Sequence, residues 1–147
     1  MKLVLINDYG LRGIRILPSF VKLLTLIERR VRPENGILNV VLISDETMKP
    51  MNRKYRGKNK TTDVLTFNYV DGSRDDLRGE IYISIPTAER QTKEVSWTLA
   101  EELNKLFVHG VLHFFGYDHV KESDYRVMKL IEDDIIVSFG GKPYNCS

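Results

Sequence analysis

Two rhythms of apolar residues divide this 147-residue chain. In its first half, short runs that are continuous or alternate in twos read as strands: KLVLI (2–6), ILNVVLIS (37–44), DVLTFNY (63–69) and GEIYISI (79–85). Between the first two, Ile16, Leu17, Phe20, Leu23, Leu24, Ile27 and Val31 recur every three or four positions, which predicts an amphipathic helix over 16–31. Ser44 followed by Asp45 and Glu46 predicts a capped helix start and a helix to about Tyr55. DGSRDD (71–76) reads as a polar turn, and Pro86 as the opening of a short helix through about Glu94.

The second half is helical. Ser96 is expected to cap a helix whose buried stripe is Leu99, Leu103, Leu106, Phe107, Val111 and Phe114, with Gly116 as its stop. A last helix is expected over 122–138. The order βαβαββααα places strands early and long helices late. It predicts an α+β fold, a mixed sheet of about four strands packed against five or so helices, rather than a doubly wound one. Without repeats or low-complexity linkers, residues 1–147 read as a single domain.

Composition narrows the class. With 42% apolar and 29% charged residues, the chain is neither disordered nor membrane-spanning. The early run LVLI (3–6) is too short for a signal sequence, and the sole cysteine, Cys146, allows no internal disulfide, so a cytoplasmic protein is expected. Charge is asymmetric: residues 1–60 hold 13 Lys/Arg against 5 Asp/Glu, and residues 61–147 hold 9 against 15. The densest basic stretch, NRKYRGKNK (52–60), carries Arg53, Lys54, Arg56, Lys58 and Lys60 with no acid. It reads either as a solvated helix end or as an edge that binds phosphates, with Tyr55 among the cations.

All three histidines fall within eleven positions: His109, His113 and His119. On a helix, positions i and i+4 share a face, so His109 and His113 converge on one point. Gly116 then turns the chain so that His119 can supply a third ligand. The spacing H-x-x-x-H-x-x-G-x-x-H is that of the metzincin zinc proteases. Three imidazoles and no thiolate predict one zinc ion with an open coordination position, the mark of a catalytic site. The proteases carry a Glu base directly after the first His; here that position is Gly110, which removes peptidase chemistry and suits a phosphodiester substrate better. Asp118 is either a turn residue or an acceptor for an imidazole N–H.

With these residues in hand, the sequence resembles the YbeY family of bacterial metal-dependent endoribonucleases. The family hallmark H-G-x-L-H-L-x-G-Y-D-H is matched by HGVLHFFGYDH (109–119), with Phe114 in place of Leu. YRGKNKTTDVLTF (55–67) and GEIYIS (79–84) match two further blocks in the family's order. The resemblance implies a zincin-like fold, with the metal site on the penultimate helix and the turn after it. It makes His109, His113 and His119 the ligands and Arg56 the functional arginine beside them. It also implies single-stranded RNA as substrate, a role at the 3′ end of small-subunit ribosomal RNA and in ribosome quality control, and the ribosome or a ribosomal protein as partner. Asn59 stands where the family has Asp, and Thr61 where it has Pro, a change that loosens the loop.

The leading reading is therefore a zinc-dependent, single-strand-specific endoribonuclease. Metal-activated water would attack a phosphodiester held by Arg56 and the basic loop (Arg53, Lys54, Lys58, Lys60), with Asp118 the candidate to move the proton or a metal-bound hydroxide acting alone. The alternatives are a non-catalytic ribosome-assembly or RNA-binding factor with a structural metal, and a zincin-type metalloprotease, which Gly110 opposes.

Overall fold

In a computed structural model, which describes residues 1–31, 35–69 and 77–142, the chain runs β1 (Lys2–Asn7), α1 (Leu17–Arg30), β2 (Gly36–Ile43), α2 (Asp45–Arg56), β3 (Val64–Asn68), β4 (Leu77–Ser84), α3 (Ile85–Val95), α4 (Leu99–Phe114) and α5 (Glu122–Phe139). These are the elements the apolar pattern predicts, in the predicted order. The polar turn expected over 71–76 and Cys146 lie outside the described residues.

The sheet order is β1-β2-β4-β3. β1, β2 and β4 are parallel, while β3 is antiparallel to β4 and forms one edge. Helical crossovers permit the parallel pairs, whereas β3 pairs antiparallel with β4, the strand that follows it in the element order. This is the mixed four-stranded α+β arrangement read from the sequence.

Alternation along the strands sends Leu38, Val40 and Leu42 of β2, with Ile81 and Ile83 of β4, into the main core beneath α1, α4 and α5. Phe20 of α1 stacks on Phe107 of α4, ring centroids 4.1 Å apart and planes 5° from parallel. Both rings are fully buried, a contribution of roughly 2–3 kcal/mol each. α4 is the central helix: Leu103, Leu106, Phe107, Val108, Val111, Leu112 and Phe114 are all buried. Its one open stripe carries the histidines. On the other sheet face, α2 lays Met48 over Val41, Ile43 and Leu65 as a smaller second core.

Two helix ends differ from expectation. Ser96 does not cap α4; it takes a left-handed conformation (φ 55°) that closes α3. The cap is Thr98, whose hydroxyl accepts from the Glu101 N–H while the Glu101 carboxylate accepts from the Thr98 N–H, both at 3.1 Å. This reciprocal box satisfies two otherwise orphan donors, which a lone serine two residues earlier cannot do. Ile85, expected to end a strand, instead starts α3, because the Ser84 hydroxyl caps the new helix and Pro86 sits in its first turn. Among the described residues, no helix is long and apolar enough to cross a membrane.

Candidate metal centre and groove

His109 and His113 project from the open stripe of α4, and their Nε2 atoms lie 3.1 Å apart. The helix then ends in a Schellman turn. Gly116 N–H donates to the His113 carbonyl (2.9 Å) and Tyr117 N–H to the Leu112 carbonyl (3.0 Å), with Gly116 at φ 97°. A side chain at that φ is strained, so the expected glycine stop is required here. The turn brings His119 back beside the helix, and one nitrogen from each of the three rings lies within 4.8 Å of the others. Tetrahedral zinc holds its nitrogen ligands about 2.0–2.1 Å away, hence roughly 3.3 Å from one another. The 3.1 Å spacing on α4 fits that requirement, and a donor set of three imidazoles suits a transition metal rather than calcium or magnesium.

Electrostatics favours neutral ligands. Burial lowers the His113 pKa below the usual imidazole value, and the adjoining His109 and His119 rings lower it further against the opposing pull of Asp118. His109 is oriented by Glu132 of α5, whose carboxylate Oε1 accepts from Nδ1 at 2.5 Å. That bond assigns the proton to Nδ1 and leaves the Nε2 lone pair for an ion. Nothing in the sequence marked Glu132, which lies 23 residues downstream on another helix. Only its helical phase was available beforehand: Glu132 stands four residues from Met128 and Ile136 on the buried side of α5.

The edge strand is pinned against α4 at two matched points. The Thr66 hydroxyl donates to the Gly110 carbonyl at 3.1 Å, and the Asn68 amide to the Phe114 carbonyl at 2.9 Å. These are the carbonyls immediately after His109 and His113, so β3 holds the backbone of both. Gly110 makes the close approach possible. A Cβ there would stand 2.9 Å from Ile81 Cγ2 and 3.3 Å from Thr66 Oγ1. The place that holds a Glu base in the zinc proteases is thus closed by the sheet.

Between β3, α4 and the end of α2 lies a groove of about 720 Å³, lined by all of β3 together with Tyr55, Arg56, Asp63, His109, His113, Asp118 and His119. Arg56 is the last residue of α2; Gly57, left-handed at φ 69°, turns the chain away after it. Arg56 makes no hydrogen bond or ion pair among the described residues, and it is exposed at the groove. Arg53, Lys54, Lys58 and Lys60 are exposed and do not line the groove. Asp118 lines it with Oδ1 occupied by the His119 N–H at 2.7 Å.

The basic loop after α2 is held tightly despite Thr61 in place of proline. The Thr61 hydroxyl donates to Asp45 (3.0 Å), and the Asn52 amide to the Lys60 carbonyl (2.8 Å). Asp45 also accepts from the Ser84 hydroxyl (2.6 Å) and the Thr87 hydroxyl (2.7 Å), and pairs with Arg90 (2.9 Å). Burial alone would raise the Asp45 pKa, but these four donors outweigh it and hold the carboxyl at about 2.

Residues 15–140 match the family described as Endoribonuclease YbeY. Among curated relatives of that name, the Persephonella marina protein is 36% identical over 141 residues, spanning 92% of this chain and 91% of its own. The Fusobacterium nucleatum protein is 34% identical over 130 residues, 84% of this chain and 80% of its own. The solution structure of TM1509 from Thermotoga maritima superposes with a TM-score of 0.61 at 25% identity, covering 99% of this chain and 96% of that one.

Proposed function

The chain belongs to the Endoribonuclease YbeY family, and from that premise we propose that it is a zinc-dependent endoribonuclease specific for single strands, acting in the cytoplasm on ribosomal RNA. Its targets on this reading are the 3′ end of small-subunit ribosomal RNA and defective ribosomes, reached through the ribosome or a ribosomal protein. One observation carries the reading: the groove lined by the three histidines also holds an arginine with no partner among the described residues.

Imidazole chemistry supports His109, His113 and His119 as the holders of the ion, one per chain. A divalent ion bound there supplies positive charge and Lewis acidity toward a phosphodiester oxygen and toward water. Arg56 offers a planar fork of donors that grips a phosphate in two places and stabilises the charge that develops on it. Water adds to phosphorus and a P–O bond of the backbone breaks; Oδ2 of Asp118, the oxygen that does not accept from the His119 N–H, takes the proton that water loses and passes it to the ribose oxygen that leaves. Arg53, Lys54, Lys58 and Lys60 act outside the groove as a field that draws the strand in.

The test is cleavage of a fluorescent single-stranded RNA by wild type and His113→Ala purified in parallel. Cutting by wild type alone supports the nuclease. Equal cutting, or none by either, moves the assignment to a ribosome-assembly factor whose metal is structural. A peptidase is disfavoured by the steric closure at Gly110.

A further inference from the structure

We propose that Tyr55 is a stacking platform for an unpaired nucleobase of the nucleotide whose phosphate Arg56 receives. This rests on the RNA reading above and names the residue behind its preference for single strands.

The argument begins with the helix face. Met48, Met51, Asn52 and Tyr55 follow one another at three- and four-residue spacing on α2. Met48 and Asn52 are buried to 1% exposure or less, but Tyr55, one turn on, is 56% exposed. It stands outside the small core that Met48 forms with Val41, Ile43 and Leu65. Its ring is nonetheless braced. Phe67 of the edge strand meets it at 4.8 Å and 72°, and Tyr82 in turn meets Phe67 at 5.7 Å and 83°. The neighbouring tyrosines use their hydroxyls: Tyr69 and Tyr82 both donate to Glu80, at 2.6 and 3.0 Å. The Tyr55 hydroxyl makes no bond among the described residues. What Tyr55 presents is a ring held in place with much of its surface in solvent.

Its position selects the occupant. Tyr55 and Phe67 line the same groove as the histidines and Arg56. The Lys54 ammonium lies over the Tyr55 ring, 5.3 Å from its centroid, on an exposed side chain that an incoming base displaces toward its phosphate, and no acid occurs in residues 52–60. An apolar peptide has no use for that charge. A nucleotide is an anion and a flat ring joined by one sugar, and consecutive residues Arg56 and Tyr55 offer one receptor for each. A base in a duplex has both faces covered, so only an unpaired one can stack here.

The test couples protein and RNA. Single-stranded substrates carrying an abasic site at successive positions are cut by wild type, Tyr55→Phe, Tyr55→Ala and Tyr55→Leu. The leucine keeps an apolar contact with Phe67 but has no flat face. We expect one abasic position to raise the wild-type KM roughly 5- to 150-fold, the range that one base–aromatic stack supplies. Tyr55→Phe should behave as wild type. Tyr55→Ala and Tyr55→Leu should show the raised KM on intact RNA and no further penalty at that abasic position, with bound metal unchanged in both and melting close to wild type in Tyr55→Leu. Penalties that simply multiply, or an unaltered KM in Tyr55→Leu, overturn the platform alone. Wild type that neither binds nor cuts the RNA overturns the nuclease reading and the platform together.

Discussion

Glu132 Oε1 sits 2.5 Å from His109 Nδ1, joining two helices through one ring of the histidine cluster. A carboxylate in that place fixes the tautomer and orientation of the imidazole. Glu132→Gln keeps an accepting oxygen of the same shape and loses the charge. It should weaken metal binding roughly 10- to 100-fold, read by competition with a chromophoric chelator, with little change in melting of the metal-free protein. Unchanged affinity would show that Glu132 only packs.

Acid should strip the metal. Burial and the flanking rings lower the His113 pKa below 6.5, so its neutral, ligating form persists to lower pH than in a free imidazole. Metal should remain bound at pH 6.5 and leave as the pH drops further, below about 6. Bound metal measured after equilibration with chelator between pH 8 and 4.5 checks this. Full occupancy at pH 4.5 would exclude imidazole ligation.

Arg56→Lys keeps the charge and removes the fork. Because Arg56 has no partner among the described residues, the fold should not register the change. Turnover of single-stranded RNA should fall roughly 100-fold, the effect of losing one donor to transition-state charge, at unchanged metal content. Normal turnover would remove Arg56 from the reaction.

A methyl group at position 110 must push into Ile81 and Thr66. Overpacking a tight core costs about 1–3 kcal/mol, and alanine returns about 1 kcal/mol of helix propensity. Gly110→Ala should therefore lose about 1 kcal/mol in urea unfolding. Gly110→Glu should lose several without gaining peptide hydrolysis. A stable Gly110→Glu variant with peptidase activity would contradict the closed slot.

Asp45 ties the basic loop to α3 through four donors, and its carboxyl is held at about 2 against an ordinary 3.8. A depressed carboxylate stabilises the fold above its unfolded pKa, and the benefit fades as the pH falls through the folded value. The shift corresponds to about 2 kcal/mol. Asp45→Asn should cost that much at pH 7, and the difference from wild type should shrink between pH 4 and 2. A pH-independent difference would mean that shape, not charge, holds the loop.

The histidine spacing was legible because a helix imposes it: i and i+4 share a face, and Gly116 supplies a φ that other residues resist. The strands and helices were legible because apolar periodicity is local. The helix start at Thr98 was written in the sequence as T-x-x-E, and Ser96 obscured it as a plausible cap in the wrong place. The tight loop was harder to foresee. Thr61 looked like the loss of a rigid proline, yet its hydroxyl reaches a carboxylate 16 residues away.

By itself, then, the sequence determined the element order, the clustering of the three histidines and the basic residues at the end of α2, since each depends on neighbours a few positions apart. Tertiary structure alone decided that β3 forms the edge of the groove, that Thr66 and Asn68 anchor the carbonyls behind two ligands, that Glu132 orients His109, and that only Arg56 among the basic residues enters the site. The hydrogen bonds among those relationships join positions up to 46 residues apart. They arise when a twisted sheet and a central helix bury their apolar faces together, and no local period in the chain encodes which polar side chains that packing will bring within hydrogen-bond reach.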